Sequence, residues 1–264
     1  MSFHTAPLNV RPVRAFADNY IWFIESPRHP EQVAVVDPGD ADPVIAELRR
    51  SGASLAAILL THHHSDHIGG VPALLAEWRV PVIGPEDVRI PQLTQTVRDA
   101  DHCDLPDLGL SFEILHVPGH TLSHIAYFGH GSLFCGDTLF SAGCGRMFEG
   151  TALQMSASLD RLRRLPPATL MFCGHEYTAA NLRFALAVDP ANEAALAYRD
   201  TVESIRAADA PSLPSNLALE NRVNPFLRCE DPAVRSAAEA HVGEPLNSPV
   251  QVFGALRAWK DRFR

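Results

Sequence analysis

Leu55 to Leu60 is an unbroken apolar run, the pattern of a strand buried on both faces, and it opens directly onto THHHSDHIGG at 61–70. A chain with that junction has to put a hydrophobic strand inside a layered core and end it where metal-ligating side chains begin. Between Thr61 and His67 stand His62, His64, Asp66 and His67. Alternate residues of an extended segment point the same way, so His62 and His64 can grip one ion. Asp66 and His67 fall where the chain turns towards a helix and can face a second. Imidazole nitrogen with carboxylate oxygen suits a borderline divalent metal such as zinc. A closed structural site would take four ligands, usually with cysteine, so this set reads as open and catalytic. His63 faces away from its neighbours by alternation and reads as support for the ligands.

The rest of the chain repeats that junction. Strands are expected over 8–13, 20–25 and 32–36, the last ended by Asp37-Pro38-Gly39, with a helix over 42–50 and another over 70–78. A short strand over 80–83 follows, and 85–110 is polar and irregular. Further strands are expected over 111–117, 123–128 and 132–135, the last two a hairpin turning at Gly129-His130-Gly131, then over 169–173. Three of these end beside a glycine on a His or Asp: His120 in PGHT, Asp137 in CGDT and His175 in CGHE. Two ions with four protein contacts each need eight contacts, and seven residues suffice if Asp137 bridges. The allocation is then His62, His64, His120 and Asp137 on one ion, with Asp66, His67, Asp137 and His175 on the other. Two such ions about 3.5–4 Å apart share a hydroxide at neutral pH, polarise a carbonyl and neutralise the oxyanion that forms, which is hydrolase chemistry. Asp66 is placed to ligate and to orient that hydroxide. Zinc is expected foremost, with iron and manganese also suited. His124 reads as packed beside the ligands or supporting them and His116 as structural. His4, His29, His102, His130 and His241 read as surface or loop residues.

Composition narrows the partners. The chain has 264 residues and a formal net charge of −9, which disfavours nucleic acid and anionic membranes. No run is long and apolar enough to span a bilayer. MSFHTAPLNVRPV lacks a basic start followed by an apolar core, so no signal peptide is expected. Five scattered cysteines form no disulfide framework, which points to a reducing cytoplasm. A monomer acting on a small molecule is expected. AGCGRMFEG at 142–150, with three glycines, reads as a loop of unusual backbone shape, followed by a helix over 152–165. Past His175 the texture becomes helical, over 177–188, 192–208, 232–241 and 250–263, with a loop-like link over 211–224. A boundary is therefore expected there, with 1–175 a mixed α/β dimetal part and 176–264 a smaller helical part.

HxHxDH followed by His120, Asp137 and His175 in that order resembles the metallo-β-lactamase superfamily, over roughly residues 8–175. The resemblance implies a four-layer αββα sandwich with the metals at one edge. FADNYIW, THHHSDH, GDTLFSAGCGRMFEGT, CGHEYT, NPFLR and RAWKDRF resemble, more narrowly, the glyoxalase II (hydroxyacylglutathione hydrolase) family over nearly the whole chain. That resemblance implies hydrolysis of S-D-lactoylglutathione to glutathione and D-lactate, as in methylglyoxal detoxification, with the helical tail binding glutathione. A thiolate leaves readily without an obligatory general acid. The family's glutathione-carboxylate contacts fall on Arg146, Arg257 and Lys260, and a contact to the peptide part falls on Tyr177. Lys260 is the only lysine in the chain. Phe148 stands where some members have tyrosine, and the missing hydrogen bond, about 0.5–1.5 kcal/mol, implies a weaker hold on substrate. The alternative within the superfamily is a glutathione persulfide dioxygenase with a single iron on two His and one carboxylate, against which His67 and His175 argue. A nuclease is disfavoured by charge.

Overall fold

The structure is a computed structural model that describes residues 8–263. His4, most of the stretch read for a leader, and Arg264 lie outside the described residues. The chain divides into two compact units. One runs up to His116 and takes in Ser123–Gly136; the other is Val117–Leu122 with everything from Asp137 onward.

The first unit is built on two sheets. Strands β1 (Val10–Ala15), β2 (Asn19–Glu25), β3 (Gln32–Val36), β4 (Ser54–Leu59), β5 (Val82–Pro85) and β6 (Gln95–Val97) form a sheet in sequential order. It is antiparallel from β1 to β3 and parallel from β3 to β6; helix α1 (Ala41–Ser51) crosses over from β3 to β4, helices α2 (Ser65–Ile68) and α3 (Val71–Glu77) from β4 to β5, and a loop from β5 to β6. Side-chain alternation divides its residues by face. Ile21, Phe23, Val33 and Val35 pack with Val44 and Leu48 of α1 and with Val71 and Leu74 of α3. On β4 that face switches phase, from Leu55 to Ile58 and Leu60, because the pairing with β3 shifts register after Val33. This irregularity aims the end of the strand at the His cluster.

Strands β7 (His102–Leu105), β8 (Leu110–His116), β9 (Ile125–Gly129) and β10 (Ser132–Gly136) follow, antiparallel and in order. The β9–β10 turn is His130-Gly131, both at positive φ (52° and 70°), as a two-residue hairpin requires. The buried Tyr127 hydroxyl lies 2.9 Å from the carbonyl oxygen of Leu60 and 3.0 Å from that of Ile83, tying β9 to the first sheet. The stretch expected to be irregular over 85–110 holds β6 and β7. Both are short edge strands, whose solvent-facing positions are polar and hide the strand pattern. His116 is exposed at the end of β8, its backbone N–H donating to Asp99 Oδ1 at 2.8 Å.

The second unit contains a small hairpin, β11 (Leu139–Phe140) and β12 (Gly143–Cys144). Helix α4 (Ala152–Arg163) starts at a reciprocal cap between Thr151 and Gln154. Strand β13 (Leu170–Cys173) pairs with a two-residue strand, β14 (Ser215–Asn216). Helices α5 (Thr178–Val188), α6 (Glu193–Ala207), α7 (Leu217–Val223), α8 (Pro232–Val242) and α9 (Pro249–Arg262) complete it. The link expected over 211–224 thus contains β14 and α7. Its helix escaped the apolar pattern because the inward face carries Glu220, which is fully buried. Phe184, Phe226, Phe253, Trp259 and Phe263 interlock edge-to-face or stacked, closing α5 on α9. All five cysteines are reduced and buried. Burial pushes the thiols of Cys103 and Cys229 up to about 12, and those of Cys144 and Cys173 upward as well. No helix among the described residues is long and apolar enough to cross a membrane.

Candidate metal centre

In the first unit His62 and His64 follow β4, His64 in extended backbone as the N-cap of α2, and Asp66 and His67 lie in that helix. One buried residue, Asp37, orients this cluster. It sits just past β3 at φ 52°, and its carboxylate accepts from Thr61 N (2.8 Å), Thr61 Oγ1 (2.7 Å) and His67 Nδ1 (3.0 Å). The Thr61 hydroxyl, having given its proton to Asp37, accepts from His62 Nδ1 at 3.0 Å. Asp37 therefore fixes the tautomer of two histidines, leaving the Nε2 lone pair of each for an ion. Asn19 Nδ2 donates to Asp66 Oδ2 at 3.0 Å. His124 is fully buried and stacks on His62, with ring centroids 4.6 Å apart. Gly136, at φ 46°, leaves them room, since a Cβ there would lie 2.3 Å from Thr61 Oγ1. His63 points elsewhere, its Nδ1 3.5 Å from Asp87 Oδ2.

The second unit carries His120, Asp137 and His175, all buried. His120 Nδ1 donates to the Arg146 carbonyl at 2.8 Å, and since a carbonyl can only accept, its Nε2 is likewise left as a lone pair. The PGHT segment is fastened to the end of the glycine-rich loop by Phe148 N to His120 O (3.2 Å) and Gly150 N to Gly119 O (3.1 Å). In that loop only Ala142 has positive φ, at 54°. Its glycines meet a demand for space instead: a Cβ on Gly145 would lie 1.9 Å from Asp137 O and 3.1 Å from His120 Nδ1.

The ligand spacings are those of coordination. Two atoms each about 2.0–2.1 Å from one ion at the tetrahedral angle lie roughly 3.3–3.4 Å apart. His62 Nε2 and His64 Nδ1 are 3.1 Å apart, and His67 Nε2 and Asp66 Oδ2 3.6 Å. Asp137 Oδ2 is 3.5 Å from His120 Nε2 and 3.3 Å from His175 Nε2. Nitrogen and carboxylate oxygen at these spacings, with no sulfur among them, fit a divalent metal.

The expected substrate residues lie in the second unit. The Tyr177 ring stacks on His175 at 4.8 Å, with planes 4° apart, and the exposed Phe148 ring stands edge-on to His120 at 5.2 Å. Arg257 is buried, donating from Nη1 to Cys144 O (2.8 Å) and from Nη2 to Asp261 Oδ1 (3.1 Å). Arg146 Nε is 3.5 Å from the same Asp261 oxygen. Lys260 Nζ donates to Ala180 O at 3.2 Å. Burial, and then the repulsion of Arg257, Arg183 and Arg146, brings the Lys260 ammonium down to about 8.

Sequence reasoning passed over Asp37, Asn19 and Glu220. Asp37 obeys the same rule that singled out His120, Asp137 and His175, a ligand-type residue just past a strand and near a glycine, and could have been found by it.

Residues 16–175 match the family model of the metallo-beta-lactamase superfamily, and fold and site together define a member of that class. The structure of TTHA1623 in a di-iron-bound form superposes with a TM-score of 0.59 at 25% identity, covering 83% of this chain and all of that one. Residues 176–263 match the model of the hydroxyacylglutathione hydrolase C-terminus. The hydroxyacylglutathione hydrolase of Nitrosomonas eutropha is 50% identical over 258 residues, 97% of this chain and 100% of its own. That of Alkalilimnicola ehrlichii is 54% identical over 250 residues, 95% and 97% of the two chains. The chain belongs to the hydroxyacylglutathione hydrolase family.

Proposed function

We infer that the chain hydrolyses S-2-hydroxyacylglutathione thioesters, S-D-lactoylglutathione foremost, to glutathione and the free hydroxy acid. Kinship over nearly the whole length with hydroxyacylglutathione hydrolases supports the activity. The observation that carries the mechanism is the position of one oxygen, Asp137 Oδ2, at coordination spacing from both His120 and His175. We propose that His62, His64, His120 and Asp137 hold one divalent ion and that Asp66, His67, Asp137 and His175 hold a second, with zinc the foremost candidate. Ions so held supply an activated water at neutral pH and a polarised carbonyl. The chain's own residues do the rest. Asp37, through Thr61 and directly, keeps His62 and His67 turned the right way, and the Arg146 carbonyl does so for His120. Asp66, steadied by Asn19, orients the nucleophile. Arg146, Arg257 and Lys260 receive the glutathione carboxylate, Tyr177 the peptide, and Phe148 presents an apolar ring where a hydroxyl would give a further bond. On this reading residues 1–175 form the metal domain and 176–264 the glutathione-binding domain of a cytoplasmic monomer.

One assay tests this: hydrolysis of S-D-lactoylglutathione before and after chelation, with metal content measured alongside. Activity is expected to vanish on chelation and return with near two metals per chain. Asp137→Ala is expected to lose both ions together, and retention of one tightly held ion would show that Asp137 is no bridge.

A further inference from the structure

We propose that Asp261 is a built-in rival of the substrate's carboxylate, a residue that sets how tightly the anionic end of the glutathione thioester is held. This rests on the substrate reading above. Asp261 lies in the last turn of α9, four residues after Arg257. Its Oδ1 stands 3.1 Å from Nη2 of the buried Arg257 and 3.5 Å from Nε of Arg146, which comes from the glycine-rich loop. One carboxylate oxygen thus joins two guanidinium groups far apart in sequence, as an incoming carboxylate would. The occupation is incomplete. The Nε–H and Nη2–H edge of a guanidinium is a two-pronged face for a carboxylate. Asp261 meets only the Nη2 prong, while Arg257 Nε is buried without an acceptor. Positive charge is also in excess, since Arg146, Arg183 and Arg257 all repel the Lys260 ammonium. The Asp261 side chain is 44% exposed, so it can rotate into water when a better-placed carboxylate takes both prongs.

The test is Asp261→Asn in the metal-loaded protein, with Asp261→Ser as a second variant that cannot retain the same contact. KM for S-D-lactoylglutathione is expected to fall about two- to fivefold, the range of one partly exposed ion pair, with kcat within a factor of roughly two. The dissociation constant of glutathione, read by calorimetry, should fall equally, and both differences should shrink as salt is raised. A small neutral thioester should show no change. An unchanged or raised KM and dissociation constant would mean that Asp261 merely steadies Arg257, and would overturn the proposal. A wild-type chain that binds glutathione without cleaving the thioester would remove the activity reading alone, with Asp261 still decided by the glutathione measurement.

Discussion

Asp37 shows how much one side chain can govern. Its carboxylate holds His67 directly and His62 through the Thr61 hydroxyl, so a single truncation releases two ring orientations at once. Partners of metal-bound histidines are typically worth about 10–100-fold in metal affinity or activity. Asp37→Ala is expected to lose at least that much in kcat/KM, with metal content falling in parallel. Full metal content with unchanged kcat/KM would deny it this role. Lys260 makes a different prediction. Its ammonium, lowered to about 8 by burial and by neighbouring arginines, loses its proton as pH rises through that value. KM for the glutathione thioester should therefore climb above pH 8 while kcat does not follow, and Lys260→Met should remove the climb. The same shift has a stability consequence. Between about 8 and the ordinary lysine value of 10.5 the unfolded chain carries the proton that the folded chain lacks, so the fold should gain stability as pH rises through that window.

At the scale of elements, the β11–β12 hairpin is held by buried polar side chains. Three polar side chains from α5 and the α7 region grip it. Asn181 Nδ2 donates to Ser141 O (3.0 Å), and Asn224 Nδ2 to Phe140 O (3.1 Å) and Gly143 O (2.9 Å). The Glu220 carboxylate accepts from Ser141 Oγ and Ala142 N, both at 2.8 Å, and from Ser215 Oγ. Desolvation pushes the Glu220 carboxyl up, yet every neighbour at hydrogen-bond distance can donate, so the charged form is the one the pocket fits. Glu220→Ala strands those donors in the interior. At roughly 1–3 kcal/mol for each unsatisfied group, a loss of several kcal/mol in denaturant unfolding is expected. Asn216 and Leu217 could have hinted at this helix, but Glu220 and Asn224 turn polar groups inward where the periodic pattern reads solvent. Such a face is legible only once its partners are known. His120, Asp137 and His175, proposed above as ligands, could be singled out beforehand because each directly follows a glycine just past an apolar run.

Across the whole molecule, the long strands and helices were readable from apolar rhythm, whereas edge strands β6 and β7 and the short α7 were not, since few of their side chains face a core. Asp137–Cys173 looks α/β in composition, but α4 packs against α9 and Pro225–Leu227 and so groups with the helical part. One property common to every part of the chain bears on the reaction it carries out. Each turnover releases a thiol into solution, and in air that thiol becomes oxidised glutathione, which exchanges with any accessible protein sulfur. All five thiols here are sheathed, and those of Cys103 and Cys229 stay protonated far above neutrality. Native protein incubated with oxidised glutathione should keep its mass, and only denaturant should let adducts form. An enzyme of this build can work amid its own product's redox chemistry without being capped by it.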